Sequence, residues 1–269
     1  MAGLFEWPEA AHLYLAPHLD DAVLSCGGLI ARQARQGESV AVVTVFAASP
    51  PPGAPLSAFA QAMHDRWQGS APAGIDFGDP PAVRRAEDRR ALARISPTIR
   101  AIHLPLLDAI YRLHPASGEA LYGSEAAIFG AVHPDDPAPS ALAGSPPPPA
   151  GGLIYAPLSA GGHVDHQIVR RAVENWGIDA ARLRWYEDYP YAAREGAVEA
   201  ALGDRGGGKR GSYEPILTPL DEEALAAKIE AVAAHESQIA TFWTGIEAMG
   251  EAVRAYADRV GGERVWRLS

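Results

Sequence analysis

Apolar runs and helical stripes alternate along most of the chain. His12 to Ala16 (HLYLA) is short, apolar-rich and bounded by Pro17, which predicts a buried strand. Ser25 to Gln36 carries helical spacing through Cys26, Leu29, Ile30 and Ala34, and Gly37 stands where a C-terminal cap glycine belongs. Ser39 to Phe46 (SVAVVTVF) is a continuous β-branched run, the pattern of a strand covered on both faces. Strand, helix and strand within about 35 residues make a βαβ unit with a right-handed crossover. Pro81 opens a charged helix, Ala82 to Ile95, which Ser96-Pro97 stops. Thr98 to Leu104, Gly152 to Ala156 (GLIYA) and Arg182 to Glu187 read as further strands. Asp165 to Trp176 has an apolar stripe of Ile168, Val169, Ala172, Val173 and Trp176, closed by Gly177. Asp221 to Thr241 reads as one long helix with Leu225, Ile229, Val232 and Ile239 on one face, and Gly245 to Arg259 as another. The alternation predicts an α/β, Rossmann-like fold: a mostly parallel sheet flanked by helices, in a single domain over residues 1–269.

Two connections interrupt that rhythm and read as loop insertions. Residues 49–81 are Pro- and Gly-rich around a short amphipathic piece, Ala58 to Gln68. Residues 105–150 end in a proline tract, Pro146 to Pro149, expected to be exposed and poorly ordered. Connections of this length are more often functional than plain linkers. Gly203 to Gly211 reads as a flexible loop.

Composition narrows the function classes. The net charge of −10 argues against nucleic acid and against an anionic membrane surface, both of which need clustered Lys and Arg. The single cysteine, Cys26, excludes an internal disulfide and a cysteine-based zinc site. The longest apolar run, Val40 to Ala48, is far short of the ~20 residues of a spanning helix. With no export signal at the N-terminus, a soluble cytoplasmic protein is expected. Nine histidines beside 33 acidic residues leave metal chemistry with nitrogen and oxygen ligands open.

In an open α/β sheet, ligands bind beyond the carboxyl ends of the strands. Two histidine–carboxylate clusters fall there: Pro17-His18-Leu19-Asp20-Asp21 after the first strand, and His163-Val164-Asp165-His166 after the GLIYA strand. If the fold brings them together, two imidazoles and a carboxylate form the set that catalytic zinc uses, with a further position open. The spare carboxylate of Asp20-Asp21 would serve as general base. Each element has a plainer reading: an Asp at such a turn is commonly a helix N-cap, and His-x-x-His is often a surface pair.

Other signals carry less. His133-Pro134-Asp135-Asp136 resembles the first cluster but precedes a Pro-rich stretch, so a solvated loop is expected. Gly203 to Lys209 fits G-x-x-x-x-G-K, yet Arg210 replaces the Ser or Thr that would bind magnesium. Gly27-Gly28 is no dinucleotide fingerprint, Cys26 reads as a packed thiol, and Ser159 lacks a nucleophile elbow. His12, His64, His103, His114 and His235 read as structural or surface residues, with His103 close to a strand end. Tyr189 to Tyr191 read as core and rim, while Glu187-Asp188 could face the cleft.

The stretch from Pro17 to Gly28 (PHLDDAVLSCGG) resembles the signature of the PIG-L / LmbE-like family of zinc-dependent de-N-acetylases, and His163 to His166 its second motif. Arg84-x-x-Glu87-x-x-x-Ala91 resembles that family's helical Arg/Glu element, Leu107-Asp108-Ala109 its following loop, and Ser237-Gln238 a late feature. The resemblance implies His18, Asp21 and His166 as metal ligands, with Zn2+ as cofactor and Fe2+ as the alternative. It implies Asp20 as general base and His163, oriented by Asp165, as oxyanion stabiliser or proton donor. Arg84 and Asp108 would bind substrate. The implied activity is removal of an acetyl group from an N-acetylated sugar or conjugate, such as an N-acetylglucosamine derivative. An amidase acting on a non-acetyl amide, such as a thiol–sugar conjugate or antibiotic intermediate, and a non-catalytic binding protein are the alternatives. The expected partner is a small-molecule amide, with a homo-oligomer left open. Some members place a tyrosine two residues before the first histidine of the second motif, where this chain has Gly161.

Overall fold

The computed structural model describes residues 6–70, 77–203 and 212–269. Its strands are β1 (His12–Ala16), β2 (Val40–Thr44), β3 (Arg100–His103), β4 (Leu153–Pro157), β5 (Leu183–Tyr186), β6 (Tyr213–Thr218) and β7 (Glu263–Leu268). Its helices are α1 (Asp21–Arg35), α2 (Ala58–Ser70), α3 (Pro80–Ile95), α4 (Glu125–Ile128), α5 (Pro137–Ala143), α6 (Val164–Asn175), α7 (Ala197–Gly203), α8 (Glu222–Val232), α9 (Ile239–Phe242) and α10 (Ile246–Val260). The strands form one sheet in the order β3-β2-β1-β4-β5-β7-β6. The first five are parallel, as expected of βαβ units. The last two pair antiparallel.

Every residue of β1 and β2 is buried, because helices cover both faces. Side chains alternate across a strand, so Tyr14 and Ala16 join one apolar layer with α1, α8 and α10, while Leu13 and Leu15 join the other with α5 and α6. Each fully buried Leu, Ile or Val there contributes about 1.5–3 kcal/mol. Gly27 and Gly28 belong to this packing: a Cβ on Gly28 would stand 2.5 Å from the Leu220 side chain, and one on Gly27 3.0 Å from that of Lys228. The pair lets α1 and α8 close on one another. Cys26 is a packed core thiol whose pKa burial raises.

The fold departs from the sequence reading in four places. The antiparallel pair β6 and β7 was not expected; neither segment is a continuous apolar run, and both are only partly buried. The long helix over 221–241 stops at Val232. Glu87, 150 residues earlier, accepts hydrogen bonds from the Ser237 N–H (2.9 Å) and hydroxyl (2.6 Å) and pulls the chain into a turn before α9. The expected solvated loop at 133–136 is instead the start of α5: Asp136 is buried and accepts from the Ala138 N–H, and Pro137 takes the first helical position. The proline tract is tied down, with Pro146 O accepting from Trp7 Nε1 and Pro149 O from Arg182. The loop read over 203–211 lies outside the described residues from 204 onward, Gly203 being the last residue of α7. No helix among the described residues is long and apolar enough to cross a membrane.

The turn that ends α8 buries His235, with neither ring nitrogen hydrogen-bonded. Burial lowers its pKa from 6.5 to about 4, against the opposing pull of Asp88 and with Arg84 and Arg90 adding to the fall. The unfolded chain therefore binds a proton below pH 6.5 that the folded chain refuses until about pH 4. Stability falls as pH drops through that window, by about 3 kcal/mol in all from this one group. The unfolding free energies of the unmodified chain and His235→Gln, measured in urea at pH 7.5 and pH 4, are expected to diverge by roughly that amount. A pH-independent offset would show that the imidazole is not held neutral.

Candidate metal centre

The chain runs outward from β1 through β2 to β3, then returns to the other side of β1 to lay down β4 and β5. The order reverses between β1 and β4, where a crevice opens beyond the carboxyl ends of the strands. The turn from β1 into α1 carries His18, Asp20 and Asp21; the turn from β4 into α6 carries His163, Asp165 and His166. The structure brings the two turns together. The His18, His163 and His166 rings each offer a nitrogen, all within 4.8 Å of one another. Asp21 Oδ2 lies 3.4 Å from His18 Nδ1 and 3.3 Å from His166 Nε2.

The orientation of each imidazole is fixed from behind. His166 Nδ1 is 2.6 Å from Asp188 Oδ1, and His18 Nε2 is 2.9 Å from Asp165 Oδ2. An ionised carboxylate only accepts, so those nitrogens carry the protons and the opposite ones present lone pairs. His166 Nε2 is buried and has no hydrogen-bond partner. A buried orphan nitrogen beside a carboxylate and a second free imidazole nitrogen is a set of donors that could hold a cation. The electrostatics agree. Burial alone would lower the pKa of both imidazoles, but the surrounding carboxylates outweigh it, raising His18 well above its ordinary value and His166 to about 9, so the pocket favours a positive charge, which a cation would supply in place of a second ring proton. Asp21 is held well below the carboxylate range, its burial outweighed by His166 and His18. A second group, His18 with Asp108 and Asp165, has comparable spacing. There His18 Nε2 is already occupied by its hydrogen bond to Asp165, so that group is a support network.

Asp20 occupies the N-cap position of α1, yet its side chain makes no capping hydrogen bond. Asp79, Asp136 and Asp221 do cap their helices, as the plainer reading of Asp20 would require. The buried Asp20 carboxylate instead faces Arg84 NH2 at 3.7 Å. Burial pushes its pKa up to about 6, against the pull of Arg84. Arg84 projects inward from α3 and reaches 4.0 Å from Asp108 Oδ2, while Asp108 Oδ1 accepts from the Ile110 N–H. His163 Nδ1 accepts the Asp165 N–H at 3.2 Å, leaving Nε2–H as the donor its ring offers the cleft. Burial and the neighbouring His18 keep this ring neutral, its pKa well below the usual value. The expected Asp165–His163 carboxylate contact is absent: the Asp165 carboxylate goes to His18, the Ala109 N–H and Arg112.

His18, Asp20, Asp21 and His163 line a cleft of about 160 Å³ that opens to solvent. Phe59, Met63 and Trp67 from α2, Phe129, Tyr191 and Phe242 form much of its wall. Both long connections therefore border it. Gly161 has φ +87°, and a Cβ there would stand 2.7 Å from that of Tyr191. The Tyr191 ring thus fills the space beside Gly161 and borders the cleft.

Sequence reasoning missed Asp188 as a support for His166, although a carboxylate just past a strand end was a usable signal. It also missed Arg112, and it read Asp136 as part of a solvated loop and noted Gln238 only as a late family feature. Gln238 borders the cleft because Glu87 holds the preceding serine. His103, flagged for its place near a strand end, pairs with Asp88 at 2.7 Å.

Comparison with known proteins places these features in context. The family profile described as GlcNAc-PI de-N-acetylase (PIG-L) matches residues 13–177. The chain is 30% identical to a 2'-N-acetylparomamine deacetylase of Streptomyces fradiae over 189 residues, covering 70% of this chain and 60% of that protein. It thus spans well under two thirds of that relative's length. A 2'-N-acetylparomamine deacetylase of Niallia circulans is 25% identical over 196 residues, 68% of each protein. Among solved structures, a teicoplanin deacetylase in its zinc-inhibited form superposes with a TM-score of 0.72 at 27% identity, covering 96% of this chain and 97% of that one. The A40926 pseudoaglycone deacetylase superposes with a TM-score of 0.68 at 30% identity, covering 97% and 98%.

Proposed function

Because this chain belongs to the PIG-L family of GlcNAc-PI de-N-acetylases, we propose that it is a metal-dependent hydrolase that removes the acetyl group from an N-acetylated amino sugar within a larger conjugate. The observation that carries this reading is the convergence of His18 Nδ1, Asp21 Oδ2 and the orphan His166 Nε2 beside a carboxylate, Asp20, that caps nothing.

His18, Asp21 and His166 would hold the ion, zinc by preference, with iron(II) accepted by the same donors. When bound, such an ion polarises a carbonyl and lowers the pKa of water from 15.7 to about 7. The chain's own groups do the rest. Asp20 takes a proton from the attacking water as its oxygen bonds to the amide carbon. The His163 Nε2–H donates to the developing oxyanion. Asp20 then returns the proton to the amide nitrogen as the C–N bond breaks, releasing acetate and a free amine. Proton transfer of this kind contributes about 10²–10⁴ in rate, and a placed oxyanion donor about 10²–10³. Arg84, held between Asp20 and Asp108, and the outer oxygen of Asp108 would bind sugar hydroxyls. The aromatic wall suits a sugar ring and an attached aglycone.

The test is an assay of N-acetylglucosamine conjugates and 2'-N-acetylparomamine, scoring acetate and primary amine separately. Equal release of both, abolished by a chelator and restored by added zinc, is expected. Amine without acetate would identify a different acyl group. Zinc bound tightly with no amide cleaved in either class would favour a binding protein.

A further inference from the structure

The segment 105–150 does more than border the cleft. Arg112 is buried, and its NH2 lies 2.5 Å from Asp165 Oδ1 and 3.0 Å from Asp136 Oδ2. Its NH1 donates to Leu107 O at 2.9 Å, and its guanidinium sits 5.0 Å from the Phe46 ring centre and 5.2 Å from that of Tyr122. Asp136 is held in turn by the Tyr122 hydroxyl at 2.7 Å and by the Ala138 N–H at 2.9 Å. A continuous buried chain of charge therefore runs from α5 to the first cluster: Asp136, Arg112, Asp165, His18.

We propose that Arg112 and Asp136 are positioning residues for the metal ligand His18, acting through Asp165. This inference rests on the metal reading above. A buried carboxylate without a cation is costly and tends to turn away. That turn would end Asp165's role as acceptor for His18 Nε2–H. The ring could then carry its proton on Nδ1, the atom that must stay free for a metal. Arg112 prevents this by presenting a fixed guanidinium to the far oxygen of Asp165. Asp136 prevents Arg112 from following Asp165 alone, since it draws the same NH2 group. The two acids also explain why the position is arginine: a planar fork between two aromatic rings holds direction, which a lysine ammonium would not. The Asp136 of the motif-like HPDD stretch is thus tied to the centre through Arg112 without entering it.

The test compares Asp136→Asn, Arg112→Lys and Arg112→Gln with Leu142→Ala. Leu142 is buried on α5, so its truncation loosens the same helix while leaving the charged chain intact. Zinc affinity would be measured by chelator competition, ligand geometry by the visible absorption of the cobalt(II)-loaded proteins, and folding by circular dichroism. Partners of metal-ligating histidines typically account for 10–100-fold in affinity. Asp136→Asn places an NH2 group against the arginine N–H or the helix cap, and is expected to weaken zinc binding about tenfold and shift the cobalt spectrum. Arg112→Gln is expected to lose more, and Arg112→Lys to recover part of that loss. Leu142→Ala should lower thermal stability with zinc affinity and spectrum unchanged. Folded Asp136→Asn and Arg112→Lys variants that both bind zinc within twofold of the unmodified chain would overturn the proposal. So would a loss in Leu142→Ala equal to that in Asp136→Asn. Failure of the unmodified chain to bind zinc or iron(II) would overturn this inference together with the metal reading beneath it.

Discussion

Asp20→Asn is expected to keep its metal and to lose about 10²–10⁴-fold in kcat, the contribution of a positioned general base. The substitution preserves shape and removes only the ability to take a proton. Asp20 is suited to that role by what it does not do. It stands at the N-cap of α1, where an aspartate ordinarily caps, yet its carboxylate makes no capping hydrogen bond and faces Arg84. Its nearest charged neighbour, 3.7 Å away, is too far for a tight bond that would blunt its basicity. Metal content by elemental analysis and kcat on the same preparation check the prediction together. Activity within tenfold of the unmodified chain would remove Asp20 from the mechanism. Lost metal would make it a ligand instead.

Asp21→Ala is expected to do the opposite at the neighbouring position: metal affinity falls by more than the 10–100-fold that supporting partners account for, and activity disappears with it. Asp21 Oδ2 stands 3.4 Å and 3.3 Å from the free nitrogens of His18 and His166, and the same oxygen accepts the His18 N–H at 2.7 Å. Its removal takes away a donor and the brace for the residue that supplies another. Excess zinc should restore part of the activity here and none in Asp20→Asn. Undiminished occupancy in Asp21→Ala would strike it from the ligand set and point to His163, whose ring is the other member of the cluster.

The core of the fold was legible because its signals are local. The run SVAVVTVF has one comfortable state, an extended strand covered on both sides, and the glycine and proline stops around it mark where helices end. The antiparallel strands β6 and β7 were not legible, since short segments of mixed charged and apolar residues are weak evidence without a partner. Helix α8 ran on to residue 241 in the sequence reading because its apolar stripe continues past Val232. What ends it is Glu87 seizing the Ser237 N–H and hydroxyl, a competition no local pattern contains. Asp136 was dismissed for the proline that follows it. That proline is compatible with a helix start, and the burial that makes Asp136 matter comes from Tyr122 and Arg112.

The sequence by itself determined the inventory: two strand-to-helix turns carrying His18, Asp20, Asp21, His163 and His166, on a mostly parallel α/β sheet. Only the tertiary structure decided that the strand order brings both turns to one crevice, which nitrogens of His18 and His166 are free, which aspartate leaves its helix uncapped, and that Asp165 serves His18 in place of His163. The reason is directional. Residue type records what a side chain can donate or accept, whereas the orientation of an imidazole is set by the carboxylate behind it. For these rings that carboxylate, Asp165 or Asp188, arrives from another part of the chain.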